Sequence, residues 1–292
     1  MLTKCVEITD KMILGTVQFG MDYGITNLSG KPSEKEVFNI LSLAWENGIQ
    51  QFDTAPGYDS ESLLGEFIKN NGIQDKVKVL TKIPSLNGIS DYKTRILSSI
   101  QSSLNNLGCH IDVLFFHNSA DFELLFKDPY FFESLLHDYP ISSLGVSVYE
   151  PTDVTGVLGF PLELAFQFPF NVLDRRFENV KMPKSKRYAR SIFLQGLLAS
   201  ANGLRPDSPK ELQYFQKKYH EKLAKNNLNP VSIAISFVAQ NDIVDHFLFG
   251  VDSEKQLKEL LDLELFGQSD IDFSEILIEK TDKRWFDPRE WN

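Results

Sequence analysis

Eight short apolar runs alternate with longer amphipathic stretches along this chain, and this alternation constrains the fold more than any other feature. In order, the runs are MILGTVQFG, IQQFDTA, KVKVLTKI, IDVLFFHN, SSLGVSVY, LELAFQFPF, RSIFLQG and DHFLFGV. Runs of this length are typical of strands buried in a parallel sheet, and the stretches between them can hold the helices that parallel connections need. Eight such units in succession predict an α/β protein of the (β/α)8 TIM barrel class.

Helix-start signals in the intervening stretches agree with this prediction. Ser33 with Glu36 fits the capping-box pattern, and Ser253 with Gln256 fits it again. Pro230 suits the first turn of a helix, where its missing N–H costs nothing. These signals place helices between the apolar runs, as a barrel requires.

The chain has no internal boundary that would divide it. No low-complexity tract or Pro/Gly/Ser-rich linker interrupts it, so we expect one domain over residues 1–292. Residues 1–10 are expected to add a small lid or hairpin, and residues 171–190 a long functional loop. Residues 285–292 contain two tryptophans, which predicts a C-terminal strap packed on the core.

Composition excludes several classes of partner. A formal net charge of −10 opposes binding to nucleic acid or to an anionic membrane surface, so a small molecule is the expected partner. Cys5 and Cys109 make neither a disulfide framework nor a metal cluster, and the N-terminus lacks a secretory-signal pattern. No apolar run approaches the roughly 18 residues of a membrane-spanning helix. We expect a cytoplasmic protein without a metal site; the oligomeric state stays open.

Four polar residues lie at the C-terminal ends of the predicted strands, where barrel enzymes carry their chemistry. Asp53, Lys82 and His117 end the second, third and fourth runs, and Tyr58 follows Asp53 in a loop. Because these strands are neighbours, Lys82 can neutralise the buried Asp53 carboxylate, and the pair can lower the pKa of a nearby phenol. Such a phenol, with a histidine to orient a carbonyl oxygen, is suited to act as a general acid in carbonyl reduction.

Eight segments carry a family resemblance: LGTVQFG, FDTAPGYDSESLLGEFI, LTKI, DVLFFHN, GVSVYEP, FQFPFNVLDR, FLQGLL and GVDSEKQLKELL. In their order and spacing they resemble the aldo-keto reductase superfamily over nearly the whole chain. The catalytic Asp, Tyr, Lys and His of that family map onto Asp53, Tyr58, Lys82 and His117. The resemblance implies that hydride passes from a nicotinamide ring to a carbonyl carbon while Tyr58 gives a proton to the oxygen.

The resemblance also implies the nicotinamide end of a cofactor site. Near the ring and its ribose it places Gly15, Thr16 and Asp53, with Ser147 and Gln167 on the carboxamide. The family usually has Asn after this serine, but the chain has Val148, so Asn171 is a candidate replacement. Where many members stack an aromatic ring on the nicotinamide, this chain has Arg190, for which a stacked and a solvated guanidinium are both open.

At the adenosine end the resemblance implies contacts from Gly250, Ser253, Gln256 and Glu259, with a helix N-terminus facing phosphate. Asp252 occupies a position where many relatives have a small, polar or basic residue. Its carboxylate would repel a 2′-phosphate, although Lys255 nearby could offset that repulsion. The family resemblance favours NADPH as the cofactor, with NADH as the second candidate.

Two other functions compete with carbonyl reduction. Barrel aldolases also place a lysine at a strand end, so Lys82 could form a Schiff base, although pairing with Asp53 would keep it protonated. Some relatives of the family are channel-associated, which makes a cofactor-binding sensor or regulatory subunit the second alternative. The opening segment LGTVQFGMDYGI resembles a bacterial branch associated with sugar metabolism or surface-glycan synthesis, which favours a sugar-derived aldehyde or ketone as the substrate.

Overall fold

The computed structural model describes residues 8–183, 185–265, 271–276 and 283–291. Its eight parallel strands form a closed barrel in which each strand pairs with its sequence neighbours and the last strand pairs with the first. The strands are β1 Met12–Gly15, β2 Gln51–Asp53, β3 Lys78–Ile83, β4 Ile111–Phe116, β5 Ile141–Ser147, β6 Leu164–Pro169, β7 Arg187–Arg190 and β8 His246–Phe249. The predicted (β/α)8 TIM barrel is therefore confirmed.

Helices connect the strands and cover the outside of the barrel. The α-helices span Val17–Gly20, Glu34–Glu46, Glu61–Asn71, Tyr92–Leu107, Glu123–Lys127, Pro129–Asp138, Pro151–Val157, Lys210–Lys225, Pro230–Ala239, Glu254–Leu261, Phe273–Ile276 and Lys283–Phe286. Their buried apolar faces and the outward faces of the strands form one large hydrophobic cluster. Helix Pro230–Ala239 begins at the proline that predicted it.

The two predicted capping boxes are only half formed. The Ser33 and Ser253 hydroxyls accept the backbone N–H three residues later, at 3.3 and 3.2 Å, so both helix starts are confirmed. The reciprocal groups bond elsewhere. Glu36 Oε1 accepts from the backbone N–H of Glu254, and Gln256 Oε1 accepts from the backbone N–H of Asp252, both at 2.7 Å.

A second, smaller cluster fills the barrel lumen. Its members are Ile13, Leu80, Val113, Phe115, Ala165, Tyr188 and Leu248. Gly145 on β5 makes room for one of the two rings, because a Cβ there would lie 2.5 Å from the Phe115 ring. The lumen is thus a packed core rather than a channel, as expected for eight strands.

The seventh strand lies earlier than predicted. The apolar run RSIFLQG suggested the strand, but β7 is Arg187–Arg190, and the apolar residues follow in the loop. Ser191, Leu194 and Gln195 have φ of 59°, 47° and 54°, in the left-handed region that a strand cannot use. Leu194 is nevertheless fully buried, so this run packs as a compact loop. The predicted loop 171–190 is correspondingly shorter, because β7 takes its end.

The described part of the tail packs as predicted. The Trp285 ring stacks on Phe215 with centroids 6.0 Å apart, and Trp291 is 9% exposed. Most of the predicted N-terminal lid, including Cys5, lies outside the described residues, whereas Cys109 is half-buried. Among the described residues no helix is long and apolar enough to cross a membrane.

Candidate active site

A cavity of about 500 Å³ opens at the C-terminal end of the barrel strands. Most of the predicted site residues line it, namely Gly15, Thr16, Asp53, Tyr58, His117, Gln167, Arg190, Gly250, Gln256 and Glu259. These residues are far apart in the sequence, and the strand ends bring them together.

The strand repeat explains this convergence. Side chains along a strand alternate between two faces, so residues two apart share one face. Leu80, Phe115 and Tyr188 fill the lumen, and the residues two positions later are Lys82, His117 and Arg190. The same alternation leads from Ala165 to Gln167, from Ile13 to Gly15 and from Leu248 to Gly250. The site is thus the next layer of the lumen, with polar residues in place of apolar ones.

Three predicted residues do not line the cavity. Lys82 is 1% exposed and lies beneath it, paired with Asp53. Ser147 is also 1% exposed, at the end of β5, opposite Gln167 in the register. Ser253 is the N-cap of helix Glu254–Leu261, and its hydroxyl accepts from Gln256 N. Lys82 thus reaches the cavity only through its neighbours.

The Asp53 carboxylate is fixed from both sides. Lys82 Nζ donates to Asp53 Oδ1 at 2.6 Å and to the carbonyl oxygen of Thr54 at 2.9 Å. Gln167 Nε2 donates to Asp53 Oδ2 at 2.9 Å, so both carboxylate oxygens have a partner. The amide of Gln167, predicted to bond a carboxamide, therefore also holds the aspartate. Although burial pulls the pKa of Lys82 down, Asp53 and Tyr58 raise it above its ordinary value.

Hydroxyl groups hold the backbone on which this pair rests. Thr16 Oγ1 donates to the carbonyl oxygen of Asp53 at 3.1 Å and lies 2.8 Å from Ser60 Oγ. The Ser60 hydroxyl also lies 3.1 Å from Thr54 Oγ1. All these side chains are buried, so the end of β2 is rigidly bonded to the loop after β1.

Tyr58 lies over the buried pair. Its ring centroid is 4.9 Å from Lys82 Nζ, and its ring meets that of His117 edge-on at 6.3 Å. Burial raises the pKa of Tyr58, while the Lys82 ammonium lowers it and the Asp53 carboxylate raises it again. The net shift is upward, opposite to the direction expected from the sequence, because burial outweighs the lysine. Tyr58 therefore keeps its proton at neutral pH.

A close backbone approach sets the position of Tyr58. It ends the 3₁₀ turn Pro56–Tyr58, and Asp59 follows with a left-handed φ of 55°. A Cβ on Gly20 would lie 1.7 Å from the Tyr58 carbonyl oxygen, so this contact requires glycine. The FG pair that ends the first apolar run thus serves the tyrosine loop.

His117 is a neutral imidazole at physiological pH. Burial lowers its pKa to about 4, and the charges of Lys82 and Arg190 act in the same direction. A neutral imidazole has one N–H donor and one acceptor nitrogen. His117 can therefore orient a polar ligand atom in the cavity without carrying a charge.

Sequence reasoning missed two tyrosines of this site. Tyr23 lines the cavity, and its pKa is raised to about 12, first by burial and then by neighbouring Tyr58. Tyr149 lies between two guanidinium groups, with Arg190 Cζ 4.0 Å and Arg289 Cζ 4.3 Å from its ring centroid. Tyr23 follows the first strand closely, which was a usable signal. Nothing in the sequence indicated that the tail would reach Tyr149.

The side chains of Arg190 and Asn171 both find their partners within the protein. Arg190 stacks on Tyr149, and its Nη2 donates to the Val148 carbonyl oxygen at 3.2 Å. Asn171 is fully buried; its Oδ1 accepts two backbone N–H groups at 2.9 Å, and its Nδ2 donates to the Ser191 carbonyl oxygen at 3.0 Å. The expectation that Asn171 replaces the missing carboxamide contact is therefore wrong.

Ion pairs fasten the tail beside Tyr149. Asp287 is 1% exposed and accepts from Arg176 Nη1 at 3.3 Å and from Arg289 Nη2 at 2.6 Å. Glu150 accepts from the same two arginines at 3.0 and 2.8 Å. Despite burial, these contacts hold the pKa of Asp287 down at about 2. The tail thus remains anchored across the physiological pH range.

The opposite end of the cavity carries acceptors without partners. Gln18 Oε1 and Asp252 Oδ1 are buried oxygen atoms for which the described residues supply no hydrogen-bond donor. Both residues line the cavity, together with Gly250, whose missing side chain leaves room for the Gln18 amide. Buried polar atoms without partners are uncommon, and a water, an ion or a ligand with donor groups would satisfy these two. The adenosine end of a nicotinamide cofactor, predicted here from the sequence, would bring such donor groups.

Comparison with known proteins places the chain in a family. The model of a protein family described as "Aldo/keto reductase family" matches residues 11–279 of this chain. The chain is 30% identical over 128 residues to the Bacillus subtilis "Uncharacterized oxidoreductase YrpG", covering 37% of this chain and 36% of that protein. It is 34% identical over 92 residues to the Schizosaccharomyces pombe "Putative voltage-gated potassium channel subunit beta", covering 27% and 26%. The matches span about a third or less of these relatives.

The fold of this chain is similar to that of a solved structure. The glycerol dehydrogenase AKR11B4 from Gluconobacter oxydans superposes with a TM-score of 0.67 at 21% identity, covering 91% of this chain and 88% of that one. At this identity the likeness concerns the fold alone. The family match covers nearly the whole chain, and it identifies the protein as a member of the aldo/keto reductase family.

Proposed function

We propose that this protein is an oxidoreductase that uses a nicotinamide cofactor to reduce an aldehyde or ketone to an alcohol, with Tyr58 as the general acid. One observation carries the proposal: a protonated tyrosine borders the cavity directly above a buried ion pair of Lys82 and Asp53. Neighbouring His117 can orient the carbonyl oxygen.

The residues of the chain divide the proton chemistry between them. The Tyr58 hydroxyl gives its proton to the carbonyl oxygen as negative charge develops there. The Lys82 ammonium then stabilises the phenolate, because it is already in place and needs no reorganisation. Asp53 and Gln167 hold the ammonium and the carboxylate in position. Near Gly15 and Gln167, a bound nicotinamide would supply the hydride.

The geometry opposes the Schiff-base alternative. A nucleophilic lysine must lose its proton, yet Lys82 is fully buried and its pKa is raised by Asp53 and Tyr58. Its ammonium also donates to the Thr54 carbonyl oxygen, so it points into the protein. A substrate carbonyl in the cavity meets Tyr58 before it can reach this nitrogen.

A regulatory or sensor protein would bind the cofactor without catalysing a reaction. The short match to the channel subunit is the observation in favour of it. Against it stand four residues arranged for proton transfer, at the end of the cavity where Gly15 and Gln167 lie. An enzyme is therefore the better-supported function. For the substrate we propose the class that the sequence resemblance favours, a sugar-derived aldehyde or ketone.

Turnover of reduced nicotinamide with a panel of carbonyl compounds tests the proposal. The panel holds sugar-derived aldehydes, sugar-derived ketones and simple aromatic aldehydes, each tried with NADH and NADPH. We expect cofactor oxidation matched mole for mole by alcohol. Cofactor binding without turnover of any carbonyl would support the sensor role instead. A borohydride-stable adduct on Lys82 would support the aldolase.

A further inference from the structure

The cavity has two chemically different ends. At the catalytic end both oxygens of the Asp53 carboxylate accept a hydrogen bond, whereas at the other end Asp252 Oδ1 is enclosed without a donor from the described residues. Burial raises the pKa of Asp252, while its contacts with Gln256 and the Arg205 charge oppose that rise. An enclosed carboxylate oxygen without a partner is costly, so a ligand that donates to it gains binding energy.

The described residues provide no free cation at this end to receive a phosphate. Among the described residues that line the cavity, Arg190 is the single lysine or arginine, and it stacks on Tyr149 at the catalytic end. Lys255 is 84% exposed in its side chain, lies outside the lining and pairs with Glu259 at 3.7 Å. The expected offset of the Asp252 charge by Lys255 is therefore weak.

Arg205 is the nearest remaining candidate. Its charge acts on Asp252, but its Nη2 pairs with Asp22, and its Nε donates to the carbonyl oxygen of Asn27 at 3.2 Å. Arg205 thus faces two carboxylates and does not line the cavity. The local balance is negative, which disfavours a ligand phosphate.

The two nicotinamide cofactors differ at one group. NADH has a ribose 2′-hydroxyl, which can donate a hydrogen bond, and NADPH has a 2′-phosphate, which is an anion and accepts. A carboxylate needs donors and repels anions. In other dinucleotide folds an acidic side chain on the 2′-hydroxyl is the usual basis of NAD selection. The Gln18 amide can donate to a phosphate or accept from a hydroxyl, so it does not distinguish the two cofactors. Asp252 is the residue that can distinguish NADH from NADPH.

We propose that Asp252 makes this protein selective for NADH over NADPH by accepting a hydrogen bond from the adenosine ribose. The inference rests on the proposed function, because it assumes that a nicotinamide cofactor occupies this cavity. It reverses the preference for NADPH that the family resemblance implies. The same site in a relative with a basic residue at this position would select NADPH.

Equilibrium binding of the two cofactors to the full chain tests the inference without turnover. We expect the Kd of NADH to be at least about tenfold lower than that of NADPH at fixed ionic strength, which corresponds to about 1.4 kcal/mol. In Asp252→Asn and Asp252→Ser the ratio should fall about tenfold, because the NADH Kd rises and the NADPH Kd falls. Asp262→Asn is the control, since Asp262 is the C-cap of helix Glu254–Leu261, which begins two residues after Asp252, and it is exposed and lies outside the cavity lining.

The outcomes separate the inference from the function it rests on. If wild-type protein binds neither cofactor, the proposed function and the inference both fail. If both cofactors bind and NADPH binds as tightly as NADH or more tightly, the inference alone is wrong. Selective loss of NADPH affinity in Arg205→Met would then assign the phosphate contact to Arg205. A ratio that also falls in Asp262→Asn would reduce the effect to net charge and overturn the role of Asp252.

Discussion

The two ends of the barrel carry the same kinds of side chain and do different things. Each end has an aspartate, a tyrosine, a lysine and a histidine: Asp53, Tyr58, Lys82 and His117 at the C-terminal end, and Asp112, Tyr188, Lys78 and His246 at the N-terminal end. The residue types alone do not distinguish the two ends. The burial and the hydrogen-bond partners of these side chains distinguish them.

The lysines show the difference most clearly. Lys82 is 1% exposed and donates to Asp53 at 2.6 Å, whereas Lys78 begins β3 as an exposed residue. Asp112 accepts instead from the backbone N–H of Val79 at 2.9 Å. At the N-terminal end the lysine remains in solvent, so its charge is screened and has little effect on a neighbouring phenol.

The tyrosines differ in what their hydroxyls can reach. Tyr188 is a lumen residue whose ring stacks on His246 at 5.2 Å and meets Phe115 edge-on at 5.7 Å. Tyr58 instead borders the cavity, edge-on to His117. In the proposed mechanism, the Lys82–Asp53 ion pair acts on chemistry because it is buried beneath an accessible proton donor.

Replacing each tyrosine by phenylalanine should give the largest difference between the two ends of the barrel. We expect Tyr58→Phe to lower kcat/KM by about 10²-fold to 10⁴-fold, because the general acid is lost, while the Kd of the cofactor stays nearly unchanged. Tyr188→Phe should keep wild-type turnover. Steady-state kinetics and cofactor titration of both variants are the measurements. Comparable activity in the two variants would remove Tyr58 from the chemistry.

Replacing each lysine by methionine compares burial directly. Lys82→Met leaves the Asp53 carboxylate buried without its counter-charge, so we expect the free energy of unfolding to fall by about 3–5 kcal/mol. Lys78→Met should stay within about 0.5 kcal/mol of wild type. Chemical denaturation measures both. In the double variant Lys82→Met with Asp53→Asn, much of the loss should be recovered; equal losses in single and double variants would contradict the pairing.

The two histidines should differ in how much they make stability depend on pH. The pKa of His117 is lowered from 6.5 to about 4, so below pH 6.5 the unfolded chain takes up a proton that the folded protein does not. Unfolding free energy should therefore decrease as pH falls from about 6.5 towards 4, by at most about 3 kcal/mol from this residue. The effect is absent at higher pH.

His117→Gln should reduce this acid sensitivity, as measured by denaturation at pH values from 7.5 down to 4.5. The pKa of His246 is lowered too, so His246→Gln should reduce the same slope, but by less. Turnover at neutral pH should fall in His117→Gln and persist in His246→Gln. An unchanged slope in His117→Gln would mean that this imidazole is protonated in the folded protein.

The alternation of apolar runs was sufficient to predict the barrel and most of its rim. Asp53, Lys82 and His117 were recognisable because they end the second, third and fourth apolar runs, and barrel enzymes carry their site residues at the C-terminal ends of the strands. Strand β7 was placed too late because it begins and ends with arginines, and the apolar residues after it are buried in a loop. Apolar content reports burial and does not separate strand from compact loop.

Long-range contacts were beyond prediction from the sequence. Arg289 lies against Tyr149 where ion pairs of Arg289 with Glu150 and of Asp287 with Arg176 hold the tail, and no local pattern encodes those contacts. The net pKa direction of Tyr58 was also mispredicted, since it depends on how much water burial removes rather than on which charges are nearby. Asn171 likewise forms a local turn that only the folded backbone reveals.

The closure of the barrel ties ligand binding to the integrity of the whole chain. Strands β1 and β8 pair from Met12 with Phe247 to Leu14 with Phe249, and residues just beyond this seam, Gln18 and Gly250, line the cavity. A ligand bound in the cavity would therefore contact both sides of the seam. Its contacts would hold together two parts of the chain that are far apart in the sequence. Its binding energy adds to the stability of the closed barrel, so thermal resistance should follow cofactor supply.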